Sequence, residues 1–159
     1  MLKGVISATP GYAGGTTERP SYEEVASGRT GHAEVIRVEY DPKIISYHDL
    51  LSVFFATHDP TTPNRQGADV GAQYRSAIFY ADEKQKEEAE KYIQELEASS
   101  KVGDPIVTEI SPLTGFYEAE GYHHDYYAKN PSKTYCQLII APKVKKAQER
   151  FAELLKKYK

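Results

Sequence analysis

Strand-like segments and amphipathic helical segments alternate along almost the whole chain, and this alternation restricts the fold more than any other feature. The clearest strand signal lies at 33–40, where apolar and polar residues alternate before an Asp-Pro pair. The clearest helix signal lies at 47–57, where Ser46 can cap a segment with apolar side chains on one face. In chain order we predict strands at 5–9 and 33–40, a helix at 47–57, a strand at 75–80, a helix at 83–99, a strand at 106–110, a helix at 118–129, a strand at 135–140 and a helix at 144–157. This order predicts a two-layer α+β fold with a mixed or antiparallel sheet.

Two long polar segments, at 11–31 and 61–73, interrupt this order. Both are rich in glycine and small polar residues, so we predict two long loops. Long ordered loops are uncommon and often carry function.

Composition restricts the classes of function. The 159 residues predict one domain, spanning 1–159, and the net charge of -3 gives no reason to expect nucleic-acid or membrane binding. No apolar run approaches the roughly 20 residues that cross a bilayer. The first residues do not resemble a signal peptide, and the single cysteine excludes a disulfide within one chain. We therefore expect a cytoplasmic protein.

Four polar residues in or beside the two glycine-rich segments are candidates for a site. They are Tyr22, Glu34, Asp69 and Tyr74. Taken singly, each has an ordinary structural interpretation: a surface loop tyrosine, an outward strand glutamate, a turn aspartate and a core tyrosine at the start of a strand. The functional interpretation of Glu34 is a carboxyl group in a tyrosine-lined cleft, where burial would raise its pKa and keep it protonated.

The short sequence motifs around these residues resemble those of one known family. Gly-Tyr-Ala-Gly-Gly at 11–15, Gly-His-Ala-Glu at 31–34 and Gln-Tyr-Arg-Ser at 73–76 resemble methionine sulfoxide reductase A, and the similarity extends over about 4–143. The spacing of Tyr22 to Glu34 and of Asp69 to Tyr74 agrees with that family as well. The resemblance implies an α+β sandwich with a ferredoxin-like core.

The resemblance also implies a reaction, the thiol-dependent reduction of methionine S-sulfoxide, free or in proteins, to methionine. Glu34, Tyr22 and Tyr74 would hydrogen-bond the sulfoxide oxygen, and Asp69 would orient the loop or the substrate amide. A cysteine would attack the sulfur and become a sulfenic acid, and a second thiol would convert that acid to a disulfide. A thioredoxin-like protein or dithiothreitol would then reduce the disulfide, with no bound cofactor.

Cys136, the only cysteine, has three interpretations. It is a buried strand thiol that packs like a small apolar residue, the resolving cysteine that some family members carry in this segment, or a nucleophile. Tyr135 before it would border the pocket for the substrate methyl group. We expect no metal site, because the adjacent His123 and His124 would point about 100° apart on a helix.

The family's nucleophile lies in a Gly-Cys-Phe-Trp stretch shortly before the strand that matches 4–9, and that stretch does not occur in these 159 residues. We therefore expect an unpaired sheet edge and an uncovered apolar face, to be completed by a second copy of the chain or by a start that lies elsewhere. Three hypotheses follow: a sulfoxide reductase, a non-catalytic binder of methionine sulfoxide, and a half-enzyme that needs a cysteine-bearing segment in trans.

Overall fold

A computed structural model describes residues 1–156 and arranges them as strands and helices in an α+β fold. The strands are β1 (Val5–Ala13), β2 (Ala33–Tyr40), β3 (Arg65–Gln66), β4 (Asp69–Val70), β5 (Ala77–Tyr80), β6 (Glu109–Pro112) and β7 (Phe116–Glu118). The α-helices are α1 (Tyr22–Ala26), α2 (Tyr47–Thr57), α3 (Glu83–Ala98), α4 (Tyr126–Lys129) and α5 (Ala141–Arg150). Short 3-10 turns occupy Ala72–Tyr74, Gly121–His123 and Ala152–Leu154, and a π-helical turn occupies Cys136–Ile140.

The strands form three separate sheets. β1 lies between β2 and β7 and is antiparallel to both, with Tyr12 opposite Glu34 on β2 and opposite Tyr117 on β7. β5 and β6 form a parallel pair, and β3 and β4 form a short hairpin. The sequence therefore predicted the α+β class correctly, and the structure contains both parallel and antiparallel pairs.

Helices α2 and α3 pack together over the β5–β6 pair. Ser46 and Asp49 form a reciprocal capping box that starts α2, and the Asp82 side chain accepts a hydrogen bond from the Gln85 amide at the start of α3. The buried and partly buried side chains between these elements are Leu51, Phe55, Ala89, Ile78, Tyr92, Ile93 and Ile110. Because the caps are local in sequence, both helices begin where the sequence predicted.

The glycine-rich segment at 11–31 was predicted as a loop, and this prediction was wrong at two places. β1 continues through Pro10 to Ala13, because the Pro10 carbonyl accepts a hydrogen bond from the Ala119 amide and keeps that edge paired. A second capping box, between Ser21 and Glu24, starts the short helix α1. The segment at 61–73 is likewise not one loop, since it contains the β3–β4 hairpin.

The strand predicted at 135–140 is also wrong. Its β-branched residues favoured a strand, but the Gln137 amide donates to the Lys133 carbonyl at 3.0 Å, so this segment continues as a helix into α5.

The helix predicted at 118–129 divides into β7, a turn and α4. The strands predicted at 75–80 and 106–110 begin at Ala77 and Glu109, and the helix predicted at 144–157 begins at Ala141 and ends at Arg150. Residue 157 lies outside the described residues.

In the described part of the chain, no helix combines the length and the apolar character needed to cross a bilayer.

His58 connects the end of α2 to the residue before β5 through a partly buried chain of hydrogen bonds. Its Nδ1–H donates to the Phe54 carbonyl at 2.6 Å, and its Nε2 accepts from the Ser76 hydroxyl at 2.7 Å. Ser76 Oγ lies 2.8 Å from the Thr108 hydroxyl. Burial lowers the pKa of His58 below its ordinary value of 6.5, against the opposing effects of the Phe54 carbonyl and Asp59. The neutral ring is therefore part of the folded structure.

We expect the free energy of unfolding to decrease as the pH falls below 6.5, because the unfolded chain then binds a proton at His58 that the folded chain resists. The slope from this group is at most about 1.4 kcal/mol per pH unit. Urea unfolding between pH 8 and pH 5 measures this slope, and His58→Gln should reduce it. An identical pH profile for the variant would exclude His58 as its source.

Candidate functional site

Glu34 lies on β2 at the end of a long groove between the β1–β2 sheet and α2. The groove has a volume of about 1490 Å³. Its polar end includes Glu34, Asp69, Tyr74 and Tyr135. Its apolar walls include Ile36, Val38, Leu50, Phe54, Phe79, Leu138 and Ile139. A cluster of polar groups in a groove with apolar walls is typical of a small-molecule site.

The Glu34 carboxyl group is reached by solvent through the groove, although protein atoms surround much of it. Partial desolvation raises the pKa of Glu34, and the Asp69 carboxylate raises it further. A larger fraction of Glu34 is therefore protonated than of an ordinary surface glutamate, and the protonated group can donate a hydrogen bond.

Tyr74 ends the turn Ala72–Tyr74 and faces the same space. Burial raises its pKa, and the Glu34 carboxylate and Tyr22 raise it further. The hydroxyl consequently keeps its proton as a hydrogen-bond donor. Tyr22 begins α1, and its ring packs on His123 with a centroid distance of 5.0 Å. Tyr22 is not among the residues that line the groove, whereas His123 is.

Asp69 and Tyr135 are joined directly. The Tyr135 hydroxyl donates to Asp69 Oδ2 at 3.2 Å, although the two residues are 66 positions apart in sequence. Burial, the Asp69 charge and this hydrogen bond raise the pKa of Tyr135 to about 12. The structure thus brings Glu34, Asp69, Tyr74 and Tyr135 to one end of the groove.

Cys136 is, with Tyr22, one of the two predicted site residues that do not line the groove. It is free and completely buried, with an exposed fraction of 0%. It lies in a helical turn rather than in the predicted strand. In this conformation the thiol cannot reach a molecule in the groove.

The glycine-rich segment before α1 is held by His32. The Gly15 amide donates to His32 Nδ1 at 3.0 Å, and His32 Nε2–H donates to the Thr17 carbonyl at 2.7 Å. The Gly15 backbone approaches Thr30 so closely that a Cβ atom there would lie 2.3 Å from the Thr30 carbonyl oxygen. This contact fixes the start of β2, and with it Glu34.

Sequence reasoning missed Glu120. Its Oε2 accepts from the Tyr12 hydroxyl at 2.9 Å, and its Oε1 accepts from the Tyr22 backbone amide at 2.8 Å. These partners lie about a hundred residues away in sequence, so no local pattern indicated them.

In the residues that the structure describes, no group of three His, Cys, Asp or Glu side chains has the arrangement of a metal site.

The groove combines hydroxyl and carboxyl groups with apolar walls, on an α+β fold. The family model described as peptide methionine sulfoxide reductase matches residues 1–155, and the chain belongs to that family. The peptide methionine sulfoxide reductase MsrA of Sulfolobus acidocaldarius is 53% identical over 152 residues, which cover 96% of this chain and 85% of that protein.

Solved structures of relatives have the same fold as this chain. Reduced Mxr1 from Saccharomyces cerevisiae superimposes with a TM-score of 0.78 and 40% identity, over 84% of this chain and 76% of Mxr1. Mxr1 in its complex with Trx2 gives a TM-score of 0.52 and 28% identity, over 77% of this chain and 67% of that one. The family that the sequence resembles is therefore confirmed.

Proposed function

We propose that the groove binds methionine S-sulfoxide, free or in oxidised proteins, for thiol-dependent reduction to methionine. Membership of the peptide methionine sulfoxide reductase family makes the chain an oxidoreductase that acts in protein repair. The observation that carries the proposal is the position of Glu34, whose pKa is raised, beside Tyr74 at the end of an apolar groove. A sulfoxide joins a polar oxygen to apolar groups, so the two parts of the groove complement the two parts of the ligand.

The oxygen would be held by donors from three elements. Protonated Glu34 and the Tyr74 hydroxyl donate hydrogen bonds to it and draw electron density from the sulfur. Tyr22 does not line the groove itself, but it lies close enough to Tyr74 to raise the pKa of Tyr74, and its hydroxyl is the third donor in this proposal. Asp69 holds the Tyr135 ring beside the bound methyl group through their hydrogen bond. The sulfur then becomes a better target for a thiolate.

The chemical steps balance with thiols alone. A thiolate attacks the sulfoxide sulfur, and the oxygen passes from the methionine sulfur to the cysteine sulfur: its bond to the methionine sulfur breaks as a bond to the cysteine sulfur forms. Methionine leaves as the thioether, and the protonated oxygen stays on the cysteine as a sulfenic acid. A second thiol condenses with the sulfenic acid, forms a disulfide and releases water. An external dithiol reduces that disulfide by exchange. Glu34 supplies the proton that the oxygen needs as the S–O bond breaks.

The attacking thiol, in this proposal, belongs to a segment outside these 159 residues that covers part of the apolar walls of the groove and leaves the Glu34 end open to the sulfoxide. Two observations support an extended segment there. The described part of the chain pairs β5 with β6 on one edge only, and β5 is separated from the β1–β2 sheet. Apolar side chains on the groove walls are also exposed, with 61% of Ile36 and 69% of Leu138 accessible. A strand in the groove would cover both.

With dithiothreitol, we expect no turnover of methionine S-sulfoxide by the 159-residue chain, and Cys136→Ser should not change this result. Turnover should begin when a segment carrying the family's Gly-Cys-Phe-Trp stretch is fused before Met1. Reverse-phase detection of methionine measures both. Turnover by the unextended chain that Cys136→Ser abolishes would show that Cys136 is the nucleophile, and would contradict the proposal.

A second copy of the chain is the other occupant that could cover the groove. Sedimentation equilibrium of the unextended chain distinguishes the two. A dimer that persists at micromolar concentration would favour the second copy, whereas a monomer that gains stability with the fused segment would favour the segment.

The reductant in this proposal is a thioredoxin-like dithiol protein. Mxr1 has been solved in complex with Trx2, and we extend that pairing to the present chain as a proposal. A cytoplasmic location stays a prediction. The non-catalytic binder is the weaker hypothesis, because the relatives with about 50% identity over nearly the whole chain are named as reductases.

A further inference from the structure

Glu120 connects β1, the strand paired with the Glu34 strand, to α1, the helix that begins at Tyr22. It follows β7, and the Ala119 amide donates to the Pro10 carbonyl at 2.9 Å, which sets Glu120 beside β1. One carboxylate oxygen accepts from the Tyr12 hydroxyl of β1, and the other accepts from the amide of Tyr22, the first residue of α1. A single carboxylate thus joins β1 to α1.

Both partners of Glu120 are close to the proposed site. Tyr12 lies opposite Glu34 in the β1–β2 register and is 2% exposed, so its hydroxyl has little access to water. Tyr22 is one of the three residues proposed to bind the sulfoxide oxygen. Its ring packs on His123, whose Nε2 lies 3.6 Å from Glu120 Oε2. Glu120 therefore contacts the Tyr12 hydroxyl, the Tyr22 amide and the His123 ring, although it is not itself among the residues that line the groove.

We infer that Glu120 is a positioning residue that fixes Tyr22, and through Tyr12 the strand opposite Glu34, in the geometry that binds the sulfoxide oxygen. This inference rests on the proposed function of the groove. Glu120 has no direct contact with the ligand in this scheme. Its effect passes through the amide of Tyr22, which starts a five-residue helix too short to hold its own position.

The charge state of Glu120 agrees with this role. Burial pushes the pKa of Glu120 up, but hydrogen bonds from the Tyr12 hydroxyl, the Tyr22 amide and its own backbone, together with His123, lower it below its ordinary value. The side chain is therefore ionised at neutral pH, and both bonds are of the stronger, charge-assisted kind.

The test is a double-mutant cycle read by ligand binding, which needs no nucleophile. The probe is the S-sulfoxide of N-acetyl-methionine methylamide, titrated calorimetrically into the 159-residue chain. Loss of hydrogen bonds to a charged group predicts that Glu120→Ala weakens binding by about tenfold or more. In a Tyr22→Phe background the same change should add less than about twofold, because the hydroxyl that Glu120 positions is already absent.

Two further variants separate positioning from simple loss of structure. Glu120→Gln keeps an acceptor for the Tyr22 amide and should restore most of the affinity that Glu120→Ala loses. Glu118→Ala, two residues earlier, removes an exposed carboxylate that pairs with His124 and should leave binding unchanged. If Glu120→Ala does not fold, the Tyr22 amide proton still reports the bond in Glu120→Gln, where loss of the charge should move its resonance upfield.

Each outcome decides between the two proposals. If the wild-type chain binds the probe, Tyr22→Phe weakens binding and Glu120→Ala does not, the positioning role is wrong and the proposed function stands. Equal losses from Glu120→Ala in both backgrounds would also overturn the positioning role. No binding by the wild-type chain would overturn both. An unchanged Tyr22 amide resonance in Glu120→Gln would overturn the hydrogen bond on which the inference depends.

Discussion

Glu34→Ala should lower kcat/KM for methionine S-sulfoxide by roughly 100- to 1000-fold in the chain extended with the cysteine-bearing segment. Removal of one donor from a preorganised oxygen-binding site typically costs about 2.7–4 kcal/mol of transition-state stabilisation. The variant should remain as stable as the wild type, because the Glu34 side chain is exposed to the groove and its loss leaves no buried partner unpaired.

Glu39→Ala is the matched control for this prediction. Glu39 lies on the same strand, five residues further on, and accepts a hydrogen bond from the exposed Ser7 hydroxyl at 2.7 Å. It is not among the groove residues, so its loss should leave kcat/KM within about twofold of wild type. Activity of Glu34→Ala close to that of Glu39→Ala would show that the oxygen is bound elsewhere.

Gly15→Ala should lower the free energy of unfolding by about 1–3 kcal/mol. It should also weaken sulfoxide binding. A Cβ at position 15 would lie 2.3 Å from the Thr30 carbonyl oxygen and 2.4 Å from the His32 amide nitrogen. Both atoms belong to the backbone, so the loop and the start of β2 must separate. Thermal unfolding measures the loss of stability, and calorimetric titration with the sulfoxide measures the loss of binding.

The control is Gly103→Ala, where no atom lies within 4 Å of an added Cβ and the backbone imposes no left-handed conformation. This variant should stay within about 0.5 kcal/mol of wild type. A Gly15→Ala protein as stable as Gly103→Ala would mean that the contact with Thr30 does not restrict the loop.

The parts of the fold that the sequence predicted best are those with local causes. Helix α2 has the predicted bounds, because the Ser46–Asp49 capping box and the following apolar periodicity are both readable within a dozen residues. The helix through Cys136 was missed because β-branched residues favour a strand, while the observed helix depends on its continuation into α5. The short helix α1 had a readable capping box at Ser21, which the glycine content of the segment obscured.

The site residues that could be predicted from sequence are those that lie in or beside recognisable sequence motifs. Glu34, Asp69 and Tyr74 were named from sequence, and the structure places all three on the groove. The contact between Asp69 and Tyr135 was not predictable, since a helical turn rather than a strand brings Tyr135 to Asp69. Glu120 was missed because its two hydrogen-bond partners lie 108 and 98 positions away in sequence, where no local pattern can indicate them.

In the proposed function, the Glu34 end of the groove recognises the sulfoxide oxygen. The most direct measurement compares binding of N-acetyl-methionine methylamide S-sulfoxide with binding of the same molecule as the thioether, in the wild-type chain and in Glu34→Ala. The wild type should bind the sulfoxide at least about tenfold more tightly than the thioether, because each missing hydrogen bond leaves a donor unpaired. Glu34→Ala should lose most of this preference. Equal affinity of the wild type for the sulfoxide and the thioether would contradict the proposed function.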